Sequence, residues 1–489
     1  MIKHLLSLTL LCSLFTLQVT QARDRVRPQH ASASFDSEAA LVEIEITKTG
    51  YNYQIPWNTR NQQSRKNGIV IAGHQILTTA DGFSGQTLCR IRKGGTTQQY
   101  TATLNWVDYY SNIAILQVED PAFWEGMRPT SLSENIPQSG QLQIIRWRKG
   151  RIEERAAEII RLYVGKSKMS YVNHLKLSAS TDMDGAGWAE VILSGNEIVG
   201  LTSAASNDKL TILPAPFIAS VLRQKASADD PGIGHFDFSI MDSKNPALLQ
   251  SKGMAATDIG VVVTKVGARR LAPNTLKAGD VLLAINGFEI DNDGNYIDPT
   301  YGRLSLFGLA TRNHEVGDSL PIRIWRDKHE LTVDYTLPRA AFDKDLVPEE
   351  IYDQAPEYLI AGGLLFQPIS GPYLNTYGQN KPLLLDYYSY NAELPDRNGL
   401  VILSSVIPDN YNLGYESIRQ LIVDRINGQT IHTIADITEA LASPEDNFHR
   451  IEFMPDQGLK HMILDAATME AATQRILEHY NIPKAWTGY

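Results

Sequence analysis

The chain has 489 residues, a formal net charge of -10, a pI ≈ 5.6 and 43% hydrophobic residues. That length allows about three domains of ordinary size, and the apolar fraction gives each a core without metal or disulfide staples. The acidic balance argues against a general nucleic-acid binder and against adhesion to anionic membranes.

In chain order, a basic start at Met1–His4 leads into the apolar run Leu5–Val19 and the small residues up to Ala22. This reads as a secretory signal peptide over 1–22, too short and too quickly followed by polar residues for a membrane span. It places the mature chain outside the cytoplasm, in a periplasm or the extracellular space. Residues 23–40 are polar and without periodicity, as in a disordered lead-in. With Cys12 removed, Cys89 has no intramolecular partner, and its place between Leu88 and Ile91 reads as a buried structural thiol.

From Leu41 to about Leu222 short alternating segments dominate, among them Val42–Ile46, Ile69–Leu77, Tyr100–Leu104, Ile113–Val118, Leu142–Trp147 and Ile198–Thr202. Turn residues separate them, which predicts an all-β domain of the barrel kind over 41–224. Ala226–Gly234, with Asp229-Asp-Pro-Gly232 at its centre, reads as a linker. A weak internal repeat follows, in Gly279–Ile290 and Gln420–Ile431. Each copy is an alternating strand ending in Asn-Gly, a pair that suits a tight turn because both residues tolerate positive φ. A helical pattern is expected after each turn, at Tyr301–Thr311 and at Ile434–Leu441. Two modules result, over 232–340 and 350–489. The second ends in an amphipathic helix from Ala466 to about Tyr480, whose apolar stripe of Met469, Ala472, Ile476, Leu477 and Tyr480 is expected to dock on the core. No His/Cys cluster has metal-ligand spacing and no Gly-rich phosphate loop is present, so neither metal nor cofactor is expected.

Three segments carry a resemblance: Ile76-Leu-Thr-Thr-Ala-Asp-Gly-Phe83, Ser111-Asn-Ile-Ala-Ile-Leu116 and Asp184-Gly-Ala-Gly-Trp-Ala189. In this order they resemble the histidine, aspartate and serine segments of the HtrA/Deg serine proteases. The Gly-Asp strand and Asn-Gly turn of Gly279–Ile290, followed by an expected helix, resemble a PDZ domain. Pro356–Leu374, Val401–Val406, Asn412–Glu416 and Tyr480–Pro483 resemble the link into, and the body of, the second PDZ in the Deg subgroup typified by plant members. The resemblance implies a mainly β chain: a trypsin-like double β-barrel followed by two PDZ-like α+β modules. The aromatics of Tyr51–Trp57 also resemble the Deg branch, and either pack between subunits or pack within the domain.

On this resemblance Asp81 stands at the histidine, where an imidazole would take and return the nucleophile's proton. Asn112 stands at the aspartate, and an amide neither stabilises an imidazolium nor favours its working tautomer. Ala186 stands at the serine and has no lone pair to attack with. Asp184 and Gly185 fall on the oxyanion loop, where a carboxylate opposes the developing negative charge. A displaced triad would have to use Ser178 or Ser180 with His74 or His174, and neither serine lies in a glycine-rich turn. Trp188 either plugs the substrate cleft or fills a hydrophobic hole.

PDZ domains take an extended peptide as an added strand. By resemblance the peptide's carboxylate would meet backbone N–H groups near Phe236, Asp237, Phe238, Ser239 and Ile240. Ser239 replaces a family glycine there and Asp237 adds a negative charge; alternatively Phe236, Phe238 and Ile240 simply alternate into the core. The leading expectation is a non-catalytic HtrA/Deg homologue (a pseudoprotease) binding unfolded or C-terminal polypeptide segments as chaperone, adaptor or regulator. It would act as a homo-oligomer or with active relatives. An active serine endopeptidase of the same family in protein quality control, and a structural scaffold, are the competing functions.

Overall fold

In the computed structural model the described residues are 35–488, apart from 94, 227–230, 256, 268–275, 391–393 and 395. The expected signal peptide, most of the lead-in and the linker's Ser227–Asp230 lie outside them. The end of the lead-in is ordered, contrary to expectation. Asp36 Oδ1 accepts the Ala39 N–H at 3.2 Å and starts a short helix, Ser37–Ala40, whose two alanines are buried.

The first sheet contains β1 (Leu41–Tyr51), β2 (Thr59–Ile71), β3 (Gln75–Thr78), β4 (Gln86–Lys93), β5 (Tyr100–Thr101), β6 (Thr103–Asp108) and β7 (Ile113–Gln117). Its order is β5-β4-β1-β2-β3-β7-β6. The two edge strands are one stretch of chain interrupted at Ala102, so the segment wraps the sheet round from β4 to β7. A long hairpin sets the register, from Leu41 opposite Ile69 to Tyr51 opposite Thr59. His74 lies in the β2–β3 hairpin at φ 53°.

The second half is a closed barrel, ordered β10-β13-β12-β11-β8-β9. Its strands are β8 (Gln141–Arg148), β9 (Arg151–Lys166), β10 (Asn173–Thr181), β11 (Val191–Ser194), β12 (Glu197–Ser206) and β13 (Lys209–Pro214). Leu41, Ile69, Leu77 and Ile113 from the first half share one buried cluster with Ile145, Trp147, Val191 and Leu213 from the second. Cys89 is buried in β4, and burial pushes its thiol up to about 12, so it is an inert packing residue.

Two modules with one strand plan follow. The first has β14 (Phe238–Met241), β15 (Val261–Val266), β16 (Val281–Ile285), β17 (Phe288–Glu289), β18 (Asn295–Asp298), β19 (Gly302–Ser305), β20 (Ser319–Arg326) and β21 (His329–Thr336). Its sheet order is β14-β15-β16-β20-β21. The second has β22 (Tyr358–Ala361), β23 (Leu364–Pro368), β24 (Val401–Val406), β25 (Leu421–Ile426), β26 (Gln429–Thr430), β27 (Phe448–Phe453), β28 (His461–Asp465) and β29 (Trp486–Thr487). Its order, β28-β27-β25-β24-β23-β22-β29, repeats the first read backwards and adds two strands beyond β23. Both Asn-Gly turns take positive φ at both residues, Asn286 and Gly287 at 46° and 82°, Asn427 and Gly428 at 49° and 76°.

The expected helix Ile434–Leu441 forms at those bounds, started by a capping box between Thr433 and Asp436. The other, Tyr301–Thr311, does not form. Its first half pairs as β19 with β18, Asn295 opposite Ser305, and only Leu306–Thr311 winds, as a 3-10 helix. Pairing in the adjacent β18–β19 hairpin outweighs the helical spacing there. The turn seats on the barrel: Thr311 donates to the Asn173 carbonyl at 3.2 Å, and a Cβ on Gly308 would meet Val164 at 2.5 Å. The C-terminal helix runs Met469–His479, shorter than the expected span; of the expected stripe it buries Met469, Ala472 and Ile476, while Leu477 is half-buried and Tyr480 is exposed. Two of the Tyr51–Trp57 aromatics, Tyr53 and Trp57, pack on the second module of the same chain. Tyr53 joins the cluster of Ile369 and Tyr373, and Trp57 meets Tyr358 at 5.8 Å.

Candidate functional site

Strand alternation puts Lys66 on the same inward face of β2 as Gly68 and Val70, and its side chain is completely buried. Its ammonium donates to the Thr79 carbonyl at 2.5 Å, the Thr79 hydroxyl at 2.7 Å, the Asp81 carbonyl at 2.7 Å and Asp81 Oδ1 at 3.1 Å. Asp81, just past β3, is 5% exposed. It also takes the Thr79 hydroxyl at 2.5 Å, and its Oδ2 takes Lys168 Nζ at 2.7 Å. Burial pushes this carboxyl upward, but Lys66 and Lys168 outweigh it and hold it at about 2. Burial lowers Lys66 in turn, against the pull of Asp81. The charged pair is kept because its donors and acceptors are nearly all satisfied within the cluster.

Asn112 is fully buried at φ 60°, and its Oδ1 accepts the Asp81 N–H at 2.9 Å. Its Nδ2 has no hydrogen-bond partner. Asp81 and Asn112 are thus brought together, but through the backbone of one and the amide of the other.

The third segment keeps a tight glycine turn, with Gly185 at φ 62° and Gly187 at φ 102°. A Cβ on Gly187 would approach Ala205 N to 2.6 Å, so that position requires glycine. Ala186 is buried in the barrel's apolar core beside Met183 and Ile144. Asp184 is exposed, and the loop's carbonyls face a cation: Arg146 reaches Asp184 O at 2.9 Å and Gly185 O at 3.3 Å. The N–H groups of Gly187 and Trp188 donate to Glu190 Oε2 at 2.8 and 2.9 Å, and Thr202 donates to the same oxygen. Glu190 is 1% exposed. Trp188 is 38% exposed, which excludes the hole-filling reading, and Lys168 sits 5.1 Å over its ring. Lys168 therefore ties the loop to Asp81.

Lys66, Lys168, Arg146 and Glu190 organise this region and were not anticipated. The alternation of β2 could have placed Lys66 indoors; nothing local marks the other three. The displaced-triad residues are separated. His174 is fully buried, stacked on Phe217 at 4.1 Å and pushed down to about 3 by burial and Lys176. His74 stacks on Trp124 at 4.8 Å, and among the described residues no hydrogen bond joins Ser178 or Ser180 to a histidine.

In the first module Phe236 and Phe238 are buried in the core, each 5.7 Å from Tyr335, and Ile240 packs against it. The Asp237 N–H donates to the Tyr335 hydroxyl at 2.9 Å, and the His235 N–H to the Pro338 carbonyl at 3.1 Å, so two loop donors are already used. Ser239 is exposed on β14, the outermost strand of its sheet. Among the described residues no group of three His, Cys, Asp or Glu is placed to hold a metal, and no helix is long and apolar enough to cross a membrane.

A family model described as a PDZ domain matches residues 347–487. The chain is 26% identical to the mitochondrial Do-like 3 protein of Arabidopsis thaliana, over 88% of this chain and 76% of that one. It is 24% identical to the mitochondrial protease Do-like 4 of the same plant, over 94% and 88%. Among solved structures it is similar to the HtrA-type protease AlgWS227A with decapeptide, with 14% identity and a TM-score of 0.50 over 62% of this chain and 95% of that one. That last likeness is one of fold.

Proposed function

We propose that this chain, a PDZ-containing homologue of the HtrA/Deg-family proteases, is a non-catalytic member that binds unfolded or C-terminal polypeptide segments. The carrying observation is the state of Asp81, ion-paired to Lys66 and Lys168 and held at about 2. A carboxylate held that low has no affinity for a hydroxyl proton near neutral pH. Ala186, its methyl in the barrel core, supplies no nucleophile.

Peptide binding falls to the first module in this reading. The outer edge of β14 has no strand partner among the described residues, whereas the equivalent β23 is covered by β22. That a fold neighbour was solved with a decapeptide supports peptide binding in general. The used donors at Asp237 and His235 favour an internal extended segment over a terminal carboxylate. The chain works outside the cytoplasm after cleavage behind Ala22, as chaperone, adaptor or regulator, alone or with active relatives.

Purified mature chain is expected to leave unfolded casein intact, to resist fluorophosphonate labelling and to delay aggregation of a denatured client. Cleavage that disappears with Ser178→Ala and Ser180→Ala would overturn the non-catalytic reading. Loss of both aggregation delay and peptide binding would leave only a scaffold. The mature N-terminus, read by mass spectrometry after export, checks the leader.

A further inference from the structure

Asparagine is followed by glycine at Asn67, Asn286, Asn398 and Asn427. Glycine leaves the nitrogen after the asparagine unshielded by a Cβ, so it can approach the side-chain amide closely. The fold treats these four pairs differently.

Two are locked. Asn67 is 4% exposed within β2, and its Oδ1 accepts the Trp147 N–H at 2.7 Å. Asn427 is 9% exposed and held at both ends of its amide. Its Nδ2 donates to the Ala440 carbonyl at 2.8 Å and to His449 Nδ1 at 3.1 Å, and its Oδ1 accepts the Arg450 N–H at 2.9 Å. Asn398 is exposed, and among the described residues no histidine is hydrogen-bonded to its amide. Gly399 beside it packs on the His432 carbonyl, which a Cβ there would meet at 2.6 Å.

Asn286 differs from all three. It and Gly287 are exposed at the tip of the β16–β17 hairpin, with open space beside the glycine. The Asn286 N–H donates to the Pro321 carbonyl at 2.8 Å, and among the described residues no hydrogen bond engages the Gly287 N–H. The Asn286 amide meets an acid–base group. Its Nδ2 donates to His314 Nε2 at 3.3 Å, and His314 Nδ1 lies 3.5 Å from Asp318 Oδ2. That oxygen is itself fixed by the Glu315 N–H at 2.9 Å. A carboxylate beside Nδ1 keeps a proton there. Nε2 then accepts from the amide when the ring is neutral and donates to it when the ring is protonated. The order carboxylate, imidazole, amide nitrogen puts a proton donor on the atom that must depart if the amide is lost.

We propose that Asn286 is a site of spontaneous deamidation, with His314 as the general acid and Asp318 as its positioning residue. The Gly287 nitrogen, having given its proton to water, bonds to Asn286 Cγ and closes a five-membered ring. The Cγ–Nδ2 bond then breaks, and Nδ2 leaves as ammonia with the proton from His314 Nε2, which solvent replaces. Water opens the imide at either carbonyl, to aspartate or to isoaspartate. One water is consumed and one ammonia released, with nothing oxidised or reduced. Either product sets a carboxylate before His314, and isoaspartate also lengthens the backbone of a two-residue turn. The change therefore falls on the first module and spares the second. It does not depend on peptide binding at β14.

Incubation of the full mature chain in warm neutral buffer tests it, with peptide mapping by mass spectrometry to read acid at each of the four pairs. Asn398 serves as the internal clock, so the quantity read is the ratio of rates at 286 and 398. Conversion at 286 is expected to run about tenfold or more ahead of 398, with none at 67 or 427. His314→Phe and His314→Gln should each cut that ratio about tenfold or more, and Asp318→Asn should cut it by less. A ratio near one in the unaltered chain, or a ratio unchanged or raised in whichever His314 variant folds, would overturn the proposal.

Discussion

The two halves of the protease-like region treat their share of the site differently. The first half buries charge: Asp81 is enclosed by Lys66, Thr79 and Lys168, and Asn112 grips its backbone. The second half keeps the turn but fills it with a methyl group, Ala186, and assigns two of its N–H donors to Glu190. An alanine in an apolar core requires nothing further, whereas a carboxylate in place of an imidazole requires cations. The first half is therefore held by an electrostatic network around a substituted catalytic position, and the second by packing at Ala186 and a buried carboxylate, Glu190, that serves the turn and faces Arg146 at 3.7 Å.

The largest effect is expected at Lys66. Lys66→Met leaves Asp81 buried with only Lys168, and removal of one partner from a buried pair costs about 3–5 kcal/mol. Adding Asp81→Leu should recover most of that loss, because an apolar pair replaces the ionic one. Thermal or urea unfolding of the three proteins checks this, and a double variant no more stable than the single one would mean that the pair is not what holds this half.

Glu190→Ala tests the second half. It orphans the N–H groups of Gly187 and Trp188 and the Thr202 hydroxyl, for about 2–4 kcal/mol in all. Hydrogen exchange should show Gly187 and Trp188 losing protection while β1 to β7 keep theirs. Equal loss in both halves would remove the distinction.

Acid should separate the halves by pH window. His174, in the barrel, has a folded value of about 3 against an ordinary 6.5. Its unfolded form binds a proton first, so barrel stability falls as pH drops from 6.5 towards 3. Asp81, in the first sheet, has a folded value of about 2 against 3.8. Its contribution, about 2 kcal/mol, is intact above 3.8 and lost only as pH falls through 2. Peptide-level hydrogen exchange from neutral to acid pH should show the barrel loosening first, and His174→Phe should abolish that upper step.

Legibility followed locality. The Asn286-Gly287 and Asn427-Gly428 turns could be read because the backbone there demands residues that accept positive φ. The Ile434–Leu441 helix carries its own start signal in Thr433 and Asp436. Tyr301–Thr311 carries none, and its fate is decided by β18 and by Val164 of the barrel. At the site, Asp81, Asn112 and Ala186 were visible by their place in three short motifs. Lys168, distant in sequence from Asp81, and Glu190, whose acceptor serves a turn, act through contacts that no spacing rule encodes.

The smallest effect on stability, about 1–2 kcal/mol for burying a hydroxyl in the apolar core, is expected from Ala186→Ser alone, and the combination with Asp81→His and Asn112→Asp sharpens the contrast between halves through activity. An imidazole at position 81 would face the ammonium of Lys66, buried without water to screen it, and a neighbouring cation depresses the imidazole's affinity for a proton. The loop meanwhile keeps Gly187 and Trp188 N–H on Glu190 and its carbonyls on Arg146. The triple variant should therefore stay unlabelled by fluorophosphonate, and adding Lys66→Met should raise labelling, since the obstacle in the first half is a charge and not a shape. Labelling of the triple variant that Lys66→Met does not improve would place the obstacle in the barrel loop instead, with Glu190 and Trp188 as the residues to change next.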